Sequence, residues 1–387
     1  MQWLLKNLKR PNSGRAYLPF VDGIRFVAIL PVVILHANER FLRYVYGEHN
    51  LEGATEQVSY LISRGAIGVM IFFALSGFVL ALPFAKGSSN GPFSYKKYFT
   101  RRLERLEPPY IFWMSLFALV LFLKSNIPFE QLAGHYFSSI FYVHNIVYAD
   151  FPIINPVAWS LEVEIQYYLL APFLAIGYFS IKTVVKRRLM LIGFTALFIV
   201  AQHLLGWQFQ PFRASLLGQL QHFLIGLFAA DLFVHSKNWL AAKHRAYDLL
   251  GVISFAIMMF TWTDDMEKAL LFSVALCGFF LSTLKGRSIP QILSFKWIPV
   301  IGGMCYTIYL THLPLLELFY SFIAKIGYST TYFLGLTISL SIALAMVLLS
   351  SIIFYRVIER PFMKKDGMSQ VIDKVKSLFG KKMAKTE

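Results

Sequence analysis

The chain has 387 residues, of which 57% are hydrophobic and 17% aromatic, and it carries a formal net charge of +16. A soluble domain of this composition would expose large apolar patches, so an ordinary soluble protein is excluded. Apolar runs of about 20 residues recur, which is typical of membrane helices rather than of a transmembrane β-barrel. The sequence therefore predicts an all-α, polytopic membrane helix bundle.

The apolar runs predict ten membrane spans in chain order. Their ranges are 20–39, 60–84, 108–124, 158–180, 188–206, 215–234, 247–262, 267–284, 298–320 and 331–357. The segment 135–149 is shorter and contains His and Asn residues, so we expect it to be re-entrant or interfacial.

Basic residues are concentrated in alternate loops, at 85–107, 181–188, 235–246 and 285–297, and in the tail. With ten spans these loops share one side with both termini, and the positive-inside rule assigns that side to the cytoplasm. This explains the net charge without nucleic acid. We expect a basic segment 1–19, a membrane domain 20–363 and a basic tail 364–387. The tail is either an amphipathic helix on the inner leaflet or a solvated segment.

The polar residues of the first span include Asp22, Arg25 and His36. Arg25 and His36 are eleven residues apart, so they share a helix face and lie about 16 Å apart along the axis. Ionisable residues inside a membrane helix are candidates for function. A lone histidine in an apolar helix, such as His36, is either a packing residue that is hydrogen-bonded to a neighbour or, at a position that water and a substrate can reach, a general base for a hydroxyl. Arg25 either pairs with Asp22, three residues away, or binds an anion.

The second and third spans contribute candidates for binding a phosphorylated donor. Arg102 and Arg105 share a helix face at the predicted cytoplasmic entrance, and arginines bind phosphates through paired donors. The alternative is that they are ordinary positive-inside anchors, which is the interpretation favoured for Arg101. Ser76, beside Gly77 in the second span, either serves helix packing or offers a hydroxyl to a ligand.

The fourth span opens with two carboxylates and an aromatic residue, Trp159. Glu162 and Glu164 are about 200° apart around the helix, so they cannot face the same pocket. One of them is expected to face the bundle interior at the depth of His36, where a carboxylate could orient the imidazole.

The ninth span carries Tyr309 and His312, which share a face in the outer half of the membrane. Glu359 and Arg360, at the inner end of the last span, are interpreted as structural. The spans contain no His-x-x-x-His, Cys-x-x-Cys or Glu-x-x-His spacing, so no metal site is predicted.

Together these motifs resemble the integral-membrane acyltransferase family 3, whose members are ten-helix bacterial enzymes that move acyl groups, usually acetyl, onto envelope sugars. Arg25 and His36 match its Arg-x10-His spacing, Arg102 and Arg105 its Arg-x-x-Arg pair, and Glu164 its usual glutamate. The other matching stretches are GVMIFFALSGF, LQHFLIGLFAA, YTIYLTHLPLL and VIERPF. Many relatives carry a C-terminal esterase-like domain, but this chain ends about 30 residues after its last span, so the membrane domain is expected to stand alone or to act with separate partners.

The resemblance implies a multi-pass enzyme of the bacterial inner membrane. Its donor would be cytoplasmic acyl-CoA, usually acetyl-CoA, and its acceptor a hydroxyl of an envelope polysaccharide such as O-antigen. In this scheme His36 and Glu164 are catalytic, either by direct transfer or through an acyl-histidine.

The same scheme distributes the remaining candidates between the two substrates. Arg25, Ser76, Arg102 and Arg105 would bind the donor, and Asp22, Trp159, Tyr309 and His312 the acceptor. The alternative function is a transporter or flippase for a lipid-linked saccharide, with the same polar residues lining its path.

Overall fold

The computed structural model describes residues 8, 10–11, 17–87, 93–327 and 330–363. These residues form helices joined by short loops, with no β-strand among them, so the predicted all-α fold is confirmed. The predicted tail, 364–387, and most of the predicted N-terminal segment, 1–19, lie outside the described residues.

We number the helices in chain order. The first seven are α1 (Pro19–Phe41), α2 (Ala54–Ser63), α3 (Ile67–Ala85), α4 (Tyr95–Lys124), α5 (Phe129–Ile140), α6 (His144–Tyr148) and α7 (Trp159–Ser180). The next five are α8 (Val184–Leu204), α9 (Leu216–His235), α10 (Lys237–Ala241), α11 (Ala246–Thr261) and α12 (Met266–Lys285). The last five are α13 (Ile289–Leu293), α14 (Trp297–Gly303), α15 (Cys305–Lys325), α16 (Tyr332–Phe354) and α17 (Arg360–Phe362).

Every predicted span overlaps a helix. Within the described part of the chain, seven helical stretches are long and apolar enough to cross a membrane, namely Pro19–Tyr46, Ala54–Ala85, Tyr95–Lys124, Leu216–His235, Met266–Lys285, Cys305–Lys325 and Tyr332–Phe362. The fourth and fifth predicted spans correspond to α7 and α8, which are 22 and 21 residues long. The protein is thus a multi-pass membrane protein, and the number of ten crossings stays a prediction.

Two helices differ from the predicted spans in their bounds. α4 begins at Tyr95 rather than at residue 108, because the Ser94 side chain caps it by accepting a hydrogen bond from the Lys97 backbone N–H at 3.3 Å. Arg102 therefore lies inside a continuous helix. The ninth predicted span is divided at Met304, where α14 ends and α15 begins.

The segment 135–149 does not form one helix. It comprises the end of α5 and the whole of α6, and Tyr142 between them has a left-handed backbone conformation with φ of 57°. Whether this segment is re-entrant or interfacial stays a prediction.

α1 lies at the centre of the bundle and packs against α3, α14, α15 and α16. Glycines on the neighbouring helices allow a close approach, since Gly68 lies against the Ala28 carbonyl and Gly302 against the Asp22 carbonyl. Small residues are the usual means by which membrane helices approach closely. The first predicted span is therefore enclosed by protein, and its polar side chains meet other helices.

The outward faces of several helices carry large apolar side chains. Leu123 of α4, Leu197 of α8 and Leu349 of α16 are 72%, 71% and 63% exposed. In a bilayer these faces contact lipid, whereas the polar residues of α1 face the interior. We call the two ends of the bundle the Arg25 end and the His36 end, after the residues of α1 that lie there.

Candidate active site

Asp22 and Arg25 form an ion pair at the Arg25 end of α1, three residues apart on the same helix. Asp22 is only 2% exposed, and Arg10 also approaches its carboxylate, at 3.3 Å. The predicted pairing of Asp22 with Arg25 is confirmed. Two arginines on one carboxylate leave a net positive charge at this end of α1, which is favourable for an anionic ligand.

Arg102, Tyr168, Glu164 and Ser76 form a continuous chain of contacts between α4, α7 and α3. The Arg102 guanidinium lies 5.0 Å from the centre of the Tyr168 ring, within range of a cation–π interaction. The Tyr168 hydroxyl and Ser76 Oγ both donate to Glu164 Oε1, each at 2.6 Å. The structure thus joins three of the predicted site residues in one cluster.

This cluster lies near the arginines at the Arg25 end. The charges of Arg25 and Glu164 are close enough to interact, and Arg102 Nε is buried without a hydrogen-bond partner. Arg105 lies within electrostatic range of Glu359, whose carboxylate accepts from the Thr307 N–H and hydroxyl at the start of α15. That contact supports the structural interpretation of Glu359.

His36 is oriented by Glu39 and not by Glu164. His36 Nδ1 lies 2.8 Å from Glu39 Oε2, three residues further along α1. If Nδ1 donates its proton to this carboxylate, the lone pair of the neutral ring lies on Nε2. The His36 side chain is 20% exposed, so Nε2 is accessible at the His36 end of the bundle.

A second imidazole lies against His36. The ring centres of His36 and His312 are 5.3 Å apart, with an angle of 37° between their planes. His312 Nδ1 is within 2.9 Å of the carbonyl oxygens of Ile308 and Tyr309, so Nδ1 carries the proton. His312 Nε2 is then an acceptor, and it is buried without a partner.

Tyr309 and Trp159 connect α15 with the start of α7. The Tyr309 hydroxyl lies 3.0 Å from Ser160 Oγ and also contacts the Val157 carbonyl oxygen. The Trp159 ring packs edge-on against Phe73 of α3, with ring centres 6.0 Å apart. Tyr309 thus joins α15 to the start of α7, and Trp159 joins α7 to α3. The predicted contact of both side chains with an acceptor stays a prediction.

Glu162 and Glu164 face different partners, as their spacing predicts. Glu162 is fully buried, and its Oε2 accepts from the Asn145 N–H at 3.0 Å, at the beginning of α6. Nearby, His135 Nδ1 and His144 Nε2 are 2.8 Å apart, and burial lowers the pKa of both imidazoles. Glu162 therefore holds the α5–α6 segment, and Glu164 is the carboxylate that faces the candidate donor site.

The predicted residues thus form two groups. Arg25, Arg102, Glu164 and Ser76 lie toward the Arg25 end, and His36 and His312 lie at the other. Sequence reasoning missed Glu39, although its spacing from His36 is the same as that between Asp22 and Arg25 and could have revealed it. Among the described residues, no three His, Cys, Asp or Glu side chains are grouped so as to hold a metal ion.

A comparison with known protein families identifies the family to which this chain belongs. The family model described as "Acyltransferase domain" matches residues 18–356, which include both groups of site residues. The chain belongs to acyltransferase family 3. This membership confirms the resemblance found in the sequence motifs.

Curated relatives of this chain occur in Staphylococcus aureus. O-acetyltransferase OatA of strain NCTC 8325 / PS 47 is 23% identical over 93% of this chain and 59% of the relative. A putative O-acetyltransferase of strain COL is 24% identical over 91% of this chain and 58% of the relative. The chain therefore spans under two thirds of the length of these relatives. No solved structure matches it.

Proposed function

We propose that this protein is a membrane O-acetyltransferase that moves an acetyl group from acetyl-CoA to a hydroxyl of an envelope saccharide. The observation that carries the proposal is the accessible His36 imidazole, whose Nδ1 is held by Glu39 and whose ring lies against His312. Family membership and the O-acetyltransferase names of the relatives support the same reaction class.

His36 acts as the general base in this proposal. Its Nε2 takes the proton of the acceptor hydroxyl while the hydroxyl oxygen attacks the thioester carbonyl carbon. The carbon–sulfur bond then breaks, and the CoA thiolate leaves with the electron pair. Glu39 keeps the ring in the required tautomer and stabilises the imidazolium, which is the role of the carboxylate in hydrolase triads.

His312 is proposed to orient the acceptor. Its Nδ1 is committed to backbone carbonyls, so Nε2 can only accept a hydrogen bond. A sugar hydroxyl that donates to His312 Nε2 would be held beside the His36 ring. A buried acceptor without a partner is costly, and such a substrate contact would satisfy it.

The donor is proposed to enter from the Arg25 end, which we place at the cytoplasmic face. Arg25, Arg102 and Arg105 supply positive charge for the phosphates of CoA. Ser76 and Glu164 adjoin Arg102 through Tyr168, where they are proposed to bind the amide groups of the pantetheine arm. Glu164 is thus proposed to position the donor, because its partners are Ser76 and Tyr168.

We further propose that the protein lies in the bacterial cytoplasmic membrane, with the His36 end facing outward. The acceptor is then a saccharide outside the cytoplasm, such as O-antigen. The basic loops at the Arg25 end support this orientation.

Mass spectrometry of envelope glycans tests the proposed function. Cells that carry the protein are compared with cells that lack it and with cells that carry His36→Ala at equal protein abundance. We expect acetyl esters on a glycan only in the first, with His36→Ala lowering them by about 100-fold or more. His49→Ala is the matched control, since His49 is an exposed histidine near the same end. Full acetylation with His36→Ala would overturn the mechanism, and identical glycans with and without the protein would overturn the function.

A further inference from the structure

A polar cavity lies beside α3, on the side away from α1. It is enclosed by the end of α8, the start of α9 and the α11–α12 connection, and Met70 of α3 forms part of its wall. Its volume is about 60 Å³, and Arg213 and Asp264, with side-chain atoms 3.9 Å apart, lie at its rim. The segments around it all belong to the His36 end of the bundle.

Six residues that line this cavity each have a buried polar atom without a hydrogen-bond partner. These atoms are Gln202 Oε1, His203 Nε2, Gln208 Oε1, Gln219 Oε1, Gln221 Oε1 and His222 Nδ1. Gln202, Gln219, Gln221 and His222 are between 2% and 7% exposed. Unpartnered buried polar groups are rare in native proteins, and six in one cavity indicate a ligand or water that satisfies them.

The orientation of the glutamine amides is set by the backbone. Gln202 and Gln221 donate from Nε2 to the Gly218 carbonyl at 2.7 and 3.1 Å, and Gln219 donates to the Arg213 carbonyl at 2.8 Å. Only the nitrogen of an amide can donate to these carbonyls. The Oε1 atoms of these three glutamines are therefore the ones that remain without a partner.

The histidines can be assigned in the same way. His203 Nδ1 lies 2.7 Å from the Ile199 carbonyl, so its Nε2 is an acceptor. His222 Nε2 lies 3.4 Å from Gln221 Nε2 and accepts from it, so Nδ1 carries a proton. The six atoms are therefore five acceptors and one donor.

This set of atoms selects a ligand rich in hydrogen-bond donors. No carboxylate is among the six atoms, so they favour a neutral ligand over a metal cation. The volume holds about two groups of the size of water, which matches two neighbouring hydroxyls rather than a complete sugar ring. The two hydroxyls can donate to two of the five acceptors, and one of them can accept from His222 Nδ1.

We propose that this cavity binds neighbouring hydroxyls of one sugar unit of the acceptor, while another unit is acetylated at His36. The inference rests on the proposed function and extends it. Since α3 separates the cavity from α1, and packed helices are 8–10 Å apart, the acceptor must extend over at least one helix width. The site therefore selects an oligosaccharide or polysaccharide over a single sugar.

The variant Gln221→Leu tests this site with little disturbance of the fold. Gly218 keeps the shorter hydrogen bond from Gln202 when Gln221 is replaced, so its carbonyl stays satisfied. Gln208→Leu is a second variant, on the loop before α9, for use if the first does not give a monodisperse protein. Gln57→Leu is the matched control, because Gln57 is an exposed glutamine on α2.

The assay measures acetyl transfer by the full-length protein in membranes. The probe is envelope glycan of the cells in which the protein occurs, with its esters removed by mild base. We expect Gln221→Leu to raise the half-saturating glycan concentration at least tenfold. The maximal rate and the half-saturating acetyl-CoA concentration should stay within twofold of the wild type, and Gln57→Leu should match the wild type throughout.

Two results would overturn the inference in different ways. An unchanged half-saturating glycan concentration in Gln221→Leu and Gln208→Leu would mean that the cavity holds only water. No transfer to the glycan by the wild type would overturn the proposed function, and with it the inference.

Discussion

His36 and its neighbours provide the residue-scale chemistry. A histidine in a membrane helix requires polar partners, and here Glu39 is 2.8 Å from Nδ1 while His312 packs against the ring. Arg40 supports the carboxylate, with Nη1 3.2 Å from Glu39 Oε2, and its Nε lies 2.6 Å from Glu317 Oε2. The His36 imidazole is therefore held by a network that continues from α1 to α15.

The variant Glu39→Gln tests the orienting role. The amide keeps the size of the side chain but removes the negative charge and offers a donor toward Nδ1, which favours the wrong tautomer. We expect the maximal rate of acetyl transfer to fall on the order of 100-fold, while the half-saturating concentrations of both substrates stay near wild type. Steady-state kinetics on membranes measure this, and a wild-type rate would exclude Glu39 from orienting His36.

The variant Arg102→Ala tests the donor site. Arg102 stacks on Tyr168, and its Nε has no protein partner, so its loss should weaken phosphate binding. We expect the half-saturating acetyl-CoA concentration to rise at least tenfold, with acceptor saturation unchanged. Arg101→Ala is the control, since Arg101 is exposed on the same helix. If both variants changed the half-saturating acetyl-CoA concentration equally, Arg102 would be a membrane anchor and not a donor-binding residue.

The sequence allowed contacts to be predicted for residues whose partners are near in the chain. It also allowed the directions of side chains to be predicted where spacing places them on one face of a helix or on opposite faces. Asp22 and Arg25 are such a pair, and the opposite directions of Glu162 and Glu164 follow from helical geometry. The contact of Glu164 with Ser76 is separated by 88 residues, and no local pattern encodes it. The cavity beside α3 was also missed, although its glutamines and histidines stand out in or beside the otherwise apolar runs of α8 and α9.

At the scale of the helices, close packing of α3 against α9 holds the site together. Gly77 lies against the Phe223 carbonyl, and Gly226 lies against the Ala74 carbonyl, so each helix carries a glycine at the crossing. Ser76 of α3 and His222 of α9 are next in sequence to Gly77 and Phe223, which meet at this crossing. Apolar runs predicted both helices, but the partner of each helix depends on contacts distant in sequence.

The variant Gly226→Ala tests this crossing. A Cβ at this position would overlap the Ala74 carbonyl oxygen, so the helices must separate. Overpacking of this kind costs about 1–3 kcal/mol, and we expect a lower midpoint of thermal unfolding in detergent. Gly193→Ala on α8 is the matched control, because a Cβ there meets open space and alanine favours the helix. An unchanged midpoint for Gly226→Ala would contradict the close crossing.

At the scale of the whole molecule, charge and polar groups divide between the two ends of the bundle. The charge of +16 is concentrated in loops that we assign to the cytoplasmic side with Arg25. Arg25 and His36 are about 16 Å apart along α1, so the proposed mechanism has the acyl group pass through the bundle from one end toward the other.

Cysteine labelling tests this orientation. In a Cys277→Ser, Cys305→Ser background, Glu52→Cys and Lys237→Cys each place one thiol at an exposed position in opposite groups of loops. We expect a membrane-impermeant maleimide, added to intact cells whose outer layers admit it, to label position 52 and to reach position 237 only after lysis. The reverse pattern would invert the topology.

Transfer across a sealed membrane tests the central proposal most directly. Inside-out vesicles receive labelled acetyl-CoA on the outside and carry ester-free envelope glycan in the lumen. We predict that the wild type and His49→Ala release CoA and place the label on the luminal glycan, and that His36→Ala does neither. Two results would contradict the account. One is acetyl transfer by His36→Ala at the rate of the wild type, and the other is movement of unmodified glycan across the membrane without release of CoA.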